Sequence, residues 1–414
     1  MTVTDLIPAS SHAPDRQTQA RRLELYLAGA TVALSPMNYF RLEMAYFTAS
    51  DFFGFLTVIV MLLNRSVPLR FFGPATSLWL FSLMLFLGGL LLGSIVQGDP
   101  VDGLIAFVQY FYSLVLIPII ISCRRLEETF LLMRVLIYSV SAIMLFGIYL
   151  IVFVPDANPM LVSGSGRLRS LLERENAAGA MAAIAITFSV YLRIVGIFGL
   201  VHFVTIMAIL VYGLMLTGSN TGFGAATLGT GMILLLAGGV RTIVAAALLA
   251  AIFSATVLQF GDLFLPEVFQ RRVFGALSSV DIEQAGTFMD RFALMQEAFQ
   301  LSNETVWLGL GADQYRTFSS YGAPVHNTYL LVLSEGGVLS LLGLSGFFLS
   351  AFALGIVAYR SPESRMLGAL TLVTVILFAL LLNAFAHFYA RFWHVPLALA
   401  MSLSLPRVAY SMYR

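Results

Sequence analysis

Apolar residues in this chain gather into runs of about 20, the length a helix needs to cross the hydrocarbon layer of a bilayer. Short polar, Gly-containing or Pro-containing breaks separate them. About twelve runs can be marked, near 23–40, 46–64, 77–96, 103–122, 129–153, 176–192, 194–217, 221–239, 242–265, 338–359, 366–386 and 392–410. Only helices and closed barrels satisfy their own backbone groups in lipid. The pattern therefore predicts an all-α polytopic membrane protein with about twelve transmembrane helices and a large, partly helical outer loop. It divides the chain into a disordered tail over 1–22, helices 1–9 over 23–265, the loop over 266–325, and an edge helix followed by the last three helices over 326–410.

Composition agrees with the pattern. Hydrophobic residues make up 59% of the 414 and charged residues 11%, well below the roughly 25% charged share of an ordinary soluble domain. All 23 basic residues are arginine and the formal net charge is +1, a balance that points to membrane lipid and not to nucleic acid. The single cysteine, Cys123, stands beside Arg124 and Arg125, which excludes an internal disulfide framework and a CxxC metal site. No His pair, carboxylate pair or Cys/His set has metal-ligand spacing, so no metal and no other cofactor is expected. The N-terminal stretch, which contains His12, lacks the apolar core and cleavage pattern of a secretory signal and is expected to be solvated.

Arginine placement orients the helices, because cytoplasmic loops carry the excess positive charge. With both termini in the cytoplasm, every short inner loop has at least one arginine, whereas the outer loop VQGDPVDG has none and two aspartates. Nine arginines fall on the outer side: Arg41, Arg167, Arg169, Arg174, Arg271, Arg272, Arg291, Arg316 and Arg391. Seven of them crowd into GSGRLRSLLEREN and the 266–325 interval. Long outer loops translocate despite such charges. The alternative is that guanidinium groups are held there for an anion, since their planar donor fork suits phosphate and carboxylate.

Inside the long loop, TFMDRFALMQEAFQ sets Thr287 three residues before Asp290, a capping-box-like start. Phe292, Met295 and Phe299 then recur at helical spacing, so the helix is amphipathic, with a face that fits either the bundle or the headgroup boundary. Arg291 stands next to Asp290 and could form a local ion pair. In WLGLGADQY, Gly309 and Gly311 are spaced for a tight turn. Pro324 precedes VHNTYLLVLSEGG, which is predicted helical until Gly336 and Gly337 break it. His326 and Asn327 thus mark a helix N-terminus, where the dipole disfavours imidazolium. A neutral His there can take a proton as a general base; it and Asn327 can equally serve the unpaired N–H groups of a helix end. His202, inside a run, is expected to be a buried neutral histidine or a functional group. His387, Arg391 and His394 flank the last outer turn. Glu335 fits either an end-of-helix charge or a bundle residue, and Arg134 is expected to snorkel to the inner surface.

Taken in order, LTGSNTGFGAATLGTGMILLL, DRFALMQEAFQ with WLGLGADQY, and VHNTYLLVLSEGGVLSLLGL resemble the C-terminal half of the O-antigen ligase and Wzy-type polysaccharide polymerase superfamily. Upstream, RLRSLLERENAAGAM is similar to that family's Arg-containing segment ending in an Asn–x–x–Gly helix start. The resemblance spans about residues 165–400. It implies a bacterial inner-membrane glycosyltransferase that passes a glycan from undecaprenyl pyrophosphate to an acceptor sugar hydroxyl on the periplasmic side. On this resemblance His326 is the catalytic base and Arg291 binds the donor pyrophosphate, with Arg167 or Arg169 sharing that role. Asn327, Tyr329 and Asn176 lie in the matching motifs as supporting residues. One position departs: many members have Arg after TGS, where this chain has Asn220, so Arg169, Arg272 or Arg391 would have to supply that charge. The resemblance leaves two activities open, a repeat-unit polymerase and a ligase with lipid A–core as acceptor. A transporter or flippase is a competing class, but the internal repeats and midplane charges common in transporters are not evident.

Overall fold

The computed structural model describes residues 16–42, 47–154, 156–274, 288–386 and 388–405. Its helices are α1 (Arg16–Leu34), α2 (Ala49–Leu63), α3 (Thr76–Val96), α4 (Pro100–Phe111), α5 (Ile117–Ile121), α6 (Leu126–Phe153), α7 (Glu175–Ile194), α8 (Leu200–Thr217), α9 (Asn220–Ala237), α10 (Val240–Phe264), α11 (Phe288–Thr305), α12 (Thr328–Arg360), α13 (Arg365–Leu381) and α14 (Arg391–Leu403). A π-helical turn, Tyr112–Leu116, joins α4 to α5. Two two-residue strands, β1 (Arg41–Leu42) and β2 (Phe47–Thr48), pair antiparallel ahead of α2.

Among the described residues, 8 helices are long and apolar enough to cross a membrane: α3, α4 with α5, α6, α7, α8, α9, α10 and α12. The expected twelve is not confirmed among them, because local chemistry shortens several apolar runs. The 46–64 run loses its first turn to a capping box, in which Asp51 accepts from Thr48 N at 2.8 Å and Thr48 Oγ1 accepts from Asp51 N at 3.2 Å. That box starts α2 at Ala49 and leaves 15 residues. The 366–386 run yields 17 helical residues, because the chain turns after Leu381. The last run yields 13. At the other end α1 starts at Arg16, ahead of the expected tail boundary at residue 22. His12 and the capping Thr287 lie outside the described residues, as does His387.

The chain forms two compact units, each of interleaved segments. The first takes residues 1–67 and 125–285, with α7 at its centre: every residue from Ala177 to Leu192 is buried. The alanine-rich sequence ENAAGAMAAIAI allows this, since small side chains let neighbouring helices approach closely. A β-carbon at Gly222 of α9 would lie 2.8 Å from Gly179 Cα of α7, so the two helices cross backbone to backbone at their N-terminal ends.

The second unit takes residues 68–124 and 286–414. Its central contact is α3 against α12, again through small residues. Gly89 and Gly343 have no room for a β-carbon against Gly336 and Phe86, and Ser340 Oγ donates to Phe86 O at 2.7 Å.

α12 continues to Arg360 but kinks at Gly337, whose φ of 64° and ψ of −168° are not helical. A broken helix must find partners for its released backbone groups. Here Val306 and the WLGLG that follows it supply them: Leu310 N donates to Ser334 O at 2.8 Å and Gly311 N to Glu335 O at 2.9 Å, while Val338 N donates to Val306 O at 2.6 Å. Gly309 and Gly311 adopt φ of 69° and 97° to do so, and a β-carbon at Gly309 would collide with the Glu335 carbonyl. The expected tight turn is therefore a backbone clamp on the kink, and the predicted break at Gly336 and Gly337 is a kink within one helix.

Candidate functional site

The residues singled out in the sequence fall in both units, and each group is described within its own. In the first unit, the segment 161–170 is laid across the end of α8. Leu168 N donates to Leu216 O at 2.9 Å, and Leu168 itself is wholly buried. This holds Arg167 inward, where it is 8% exposed. Its Nε donates to Thr217 O at 2.8 Å and its Nη2 to Asn176 Oδ1 at 3.0 Å. Asn176 Oδ1 also accepts from Ser219 Oγ at 3.2 Å. Ser219 caps α9 by accepting from Gly222 N at 3.1 Å. Gly218 ends α8 in the left-handed region, φ 53°. The motifs NAAG and TGSNTG thus form one crossing: Gly179 and Gly222 permit the contact, and Asn176 and Ser219 bond across it.

Arg272 joins this crossing from the turn after α10. A β-carbon at Gly218 would lie 3.3 Å from Arg272 Cδ and 3.6 Å from Arg167 Nε. The buried Nε of Arg272 has no hydrogen-bond partner among the described residues. Asn220 opens α9 two residues on from Gly218. Two guanidinium groups, the amide of Asn176 and the start of a helix therefore meet at one place, a combination that favours an anion. Arg169 is engaged elsewhere: its Nε pairs with Glu175 at 3.0 Å and its Nη1 donates to Pro159 O at 3.2 Å. Arg41 pairs with Glu173, which also accepts from Asn38 at 2.7 Å.

In the second unit, Asn327 is the N-cap of α12, its Oδ1 accepting from Leu330 N at 3.1 Å, so His326 stands one residue outside the helix. The flanking backbone is fastened to the end of α13. Thr328 N donates to Leu382 O at 2.9 Å, Thr328 Oγ1 to Phe385 O at 2.8 Å and Tyr329 Oη to Ala379 O at 2.7 Å. On the other side Val325 is fully buried in a cluster with Leu294 and Ala298 of α11, Tyr315, Leu331 and Ala386. His326 is half-buried between these anchors. By helical spacing Arg291 shares the inward side of α11 with Ala298 and Ser302; both are buried. Arg391 begins α14 with its guanidinium 5.3 Å from the centre of the Tyr112 ring, a cation–π distance. Nearby, His394 is buried and its Nε2 bonds Phe388 O at 2.6 Å, a structural tie.

Two carboxylates stabilise the loop that carries His326, and one of them, Glu297, was missed in the sequence. Glu297 of α11 accepts from Tyr315 Oη at 3.1 Å, Ser319 Oγ at 2.6 Å, Ser320 N at 2.7 Å and Ser320 Oγ. Burial opposes its ionisation, but these hydrogen bonds outweigh burial and hold its carboxyl below the usual range. Glu335, open in the sequence reading, is a bundle residue: it is buried, and its Oε1 accepts from Tyr315 N at 3.3 Å. Asp313 moves the other way, pushed up by burial despite Arg316 alongside. His202 differs from expectation, being exposed and flanked by Phe198 and Tyr138 at ring separations of 4.4 and 5.6 Å.

Eight apolar helices of spanning length define a multi-pass membrane protein. Residues 205–345 match the family model for O-antigen ligase, a segment that contains TGSNTG, Arg272, Arg291 and His326. No curated protein matches the chain. The match supports the O-antigen ligase and Wzy superfamily, whose activity at family level is glycan transfer of the ligase or polymerase type, with a lipid-linked glycan and an acceptor as partners.

Proposed function

We propose that this chain is an inner-membrane glycosyltransferase that moves a glycan from undecaprenyl pyrophosphate to a sugar hydroxyl on the periplasmic side, joining repeat units into a polysaccharide. The observation that carries the reading is His326, half-buried one residue ahead of the α12 cap and anchored on both sides. A neutral histidine at this place is the base that the chemistry needs. The acceptor hydroxyl oxygen attacks the anomeric carbon, and the bond from that carbon to the diphosphate oxygen breaks as the new glycosidic bond forms. His326 takes the hydroxyl proton. Attack opposite the leaving group inverts the anomeric centre.

Negative charge grows on the departing diphosphate, and fixed guanidinium donors stabilise such charge most where water is excluded. The resemblance gives this role to Arg291, in the unit that holds His326, where Arg391 is a second positive charge and Asn327 and Tyr329 hold the His326 segment. In the other unit Arg167 and Arg272, with Asn176 orienting Arg167 and Asn220 at the start of α9, form an anion-favouring site of their own. The reaction needs no metal in this scheme.

The match to an O-antigen ligase model keeps a second reading, in which the acceptor is lipid A–core. Purified protein given lipid-linked repeat units alone separates the two. A ladder of lengthening products supports polymerisation, whereas product formed only when lipid A–core is added supports ligation. No covalent product under either condition, with uptake of labelled solute into proteoliposomes, would make the chain a transporter.

A further inference from the structure

Among the described residues, the outward side of α11 is left without a partner. Leu294, Ala298 and Ser302 face inward and are buried. On the outward side, Phe292 and Phe299 are 47% and 58% exposed, while Met295 beside them packs against the inward cluster. The next flank carries Gln296, Gln300 and Glu304, all exposed. At 100° per residue this makes one apolar and one polar flank on the same exposed side. A helix immersed along one edge in lipid has this division.

The continuation of α11 bears on what could cover the apolar flank. Trp307 is 76% exposed, yet its backbone is tied to the α12 kink by the bond from Val338 N to Val306 O, 2.6 Å. Trp307 therefore sits where the second half of α12 begins. That half runs on from Val338 within a helix apolar and long enough to cross a membrane, and it carries the exposed apolar side chains Leu342, Leu349 and Phe352, the kind of surface that lipid covers. Leu342 is one turn beyond the tie. The exposed side of Trp307 is thus the upper edge of a lipid-facing surface, the level at which tryptophan is enriched in membrane proteins.

We propose that α11 is an interfacial helix lying in the bilayer surface, with Phe292, Phe299 and Trp307 set into the boundary between headgroups and acyl chains. The occupant of the exposed apolar flank is the lipid bilayer itself. The long polar interval between spans is then not an outer loop held clear of the membrane; it is fastened to the surface along α11.

Trp307 offers a direct test. The chain has 3 tryptophans, and Trp79 and Trp393 are each 2% exposed. The difference in emission between wild type and Trp307→Phe therefore isolates Trp307. The full chain is placed in phosphatidylcholine vesicles brominated either near the carbonyl end or near the methyl end of the acyl chains. Lipid brominated near the carbonyl end should quench the Trp307 emission several-fold more than the other lipid, and aqueous iodide should quench it little. In Phe292→Ser/Phe299→Ser, lipid quenching should fall and iodide quenching rise. Strong iodide quenching of wild type without lipid quenching would overturn the proposal. Quenching by neither agent, as when a second protein copy covers the helix, would overturn it too.

Discussion

Asn176 Oδ1 accepts from both Arg167 and Ser219, so a single amide oxygen orients a guanidinium and a helix cap together. If Arg167 receives the diphosphate, Arg167→Lys keeps the charge but loses the fork that reaches Thr217 O and Asn176 at once. A hydrogen bond to a charged group contributes about 1.5–3 kcal/mol. The expected effect is a loss of about tenfold or more in kcat/KM for the lipid-linked donor, measured well below a thermal midpoint that also falls as these two bonds are lost. Full activity in that variant would remove Arg167 from the donor site. Gly218→Ala tests the crossing itself. The left-handed backbone costs a non-glycine residue about 1–2 kcal/mol, and its β-carbon would lie 2.6 Å from Val268 Cγ1. The thermal midpoint should fall; an unchanged midpoint would show that the crossing relaxes freely. In the sequence, His326, Asn327 and the glycine motifs were legible because capping and close approach depend on local residue type. Glu297 was not: its donors Tyr315, Ser319 and Ser320 lie 18 to 23 residues away and follow no local pattern.

At the scale of elements, the clamp between 306–311 and the α12 kink makes the His326 loop rigid from one end, and Glu297 does so from the other. The Glu297 carboxyl ionises below the usual range in the folded protein. Its contribution is therefore complete above the ordinary carboxylate range and is lost as pH falls through its lowered pKa. Protease cutting within 313–325 should increase on acidification from pH about 5 downward, starting from the ordinary Glu value. Glu297→Gln should be cut readily at neutral pH and show little further change. Acid-independent resistance in the wild type would contradict the staple. Gly309→Ala should release the other end, because its β-carbon collides with the Glu335 carbonyl; increased cutting near Trp307 is the readout. Element existence was largely readable from apolar run length. Element ends were not, because they depend on chemistry that a hydropathy window averages away, such as the Thr48–Asp51 box and the turn after Leu381 that offers carbonyls to Thr328. Among the described residues eight helices reach spanning length, and the expected twelve is not confirmed.

At the scale of the whole molecule, residues far apart in sequence are gathered within each compact unit by crossings of small residues. Alanines and glycines in α7, α9, α3 and α12 let backbones touch, which leaves the few charged groups in defined places inside a chain with little charge. That economy was visible in composition, but the division into two interleaved units was not, since no linker or shift in composition marks residues 67, 124 or 285. The central claim is that His326 takes the proton from the acceptor hydroxyl. The most direct measurement compares wild type and His326→Ala in proteoliposomes supplied with lipid-linked repeat units, after confirming equal insertion and thermal stability. The account predicts that the variant forms no extended glycan while the wild type forms a ladder. Ladder formation by His326→Ala at the wild-type rate would contradict it.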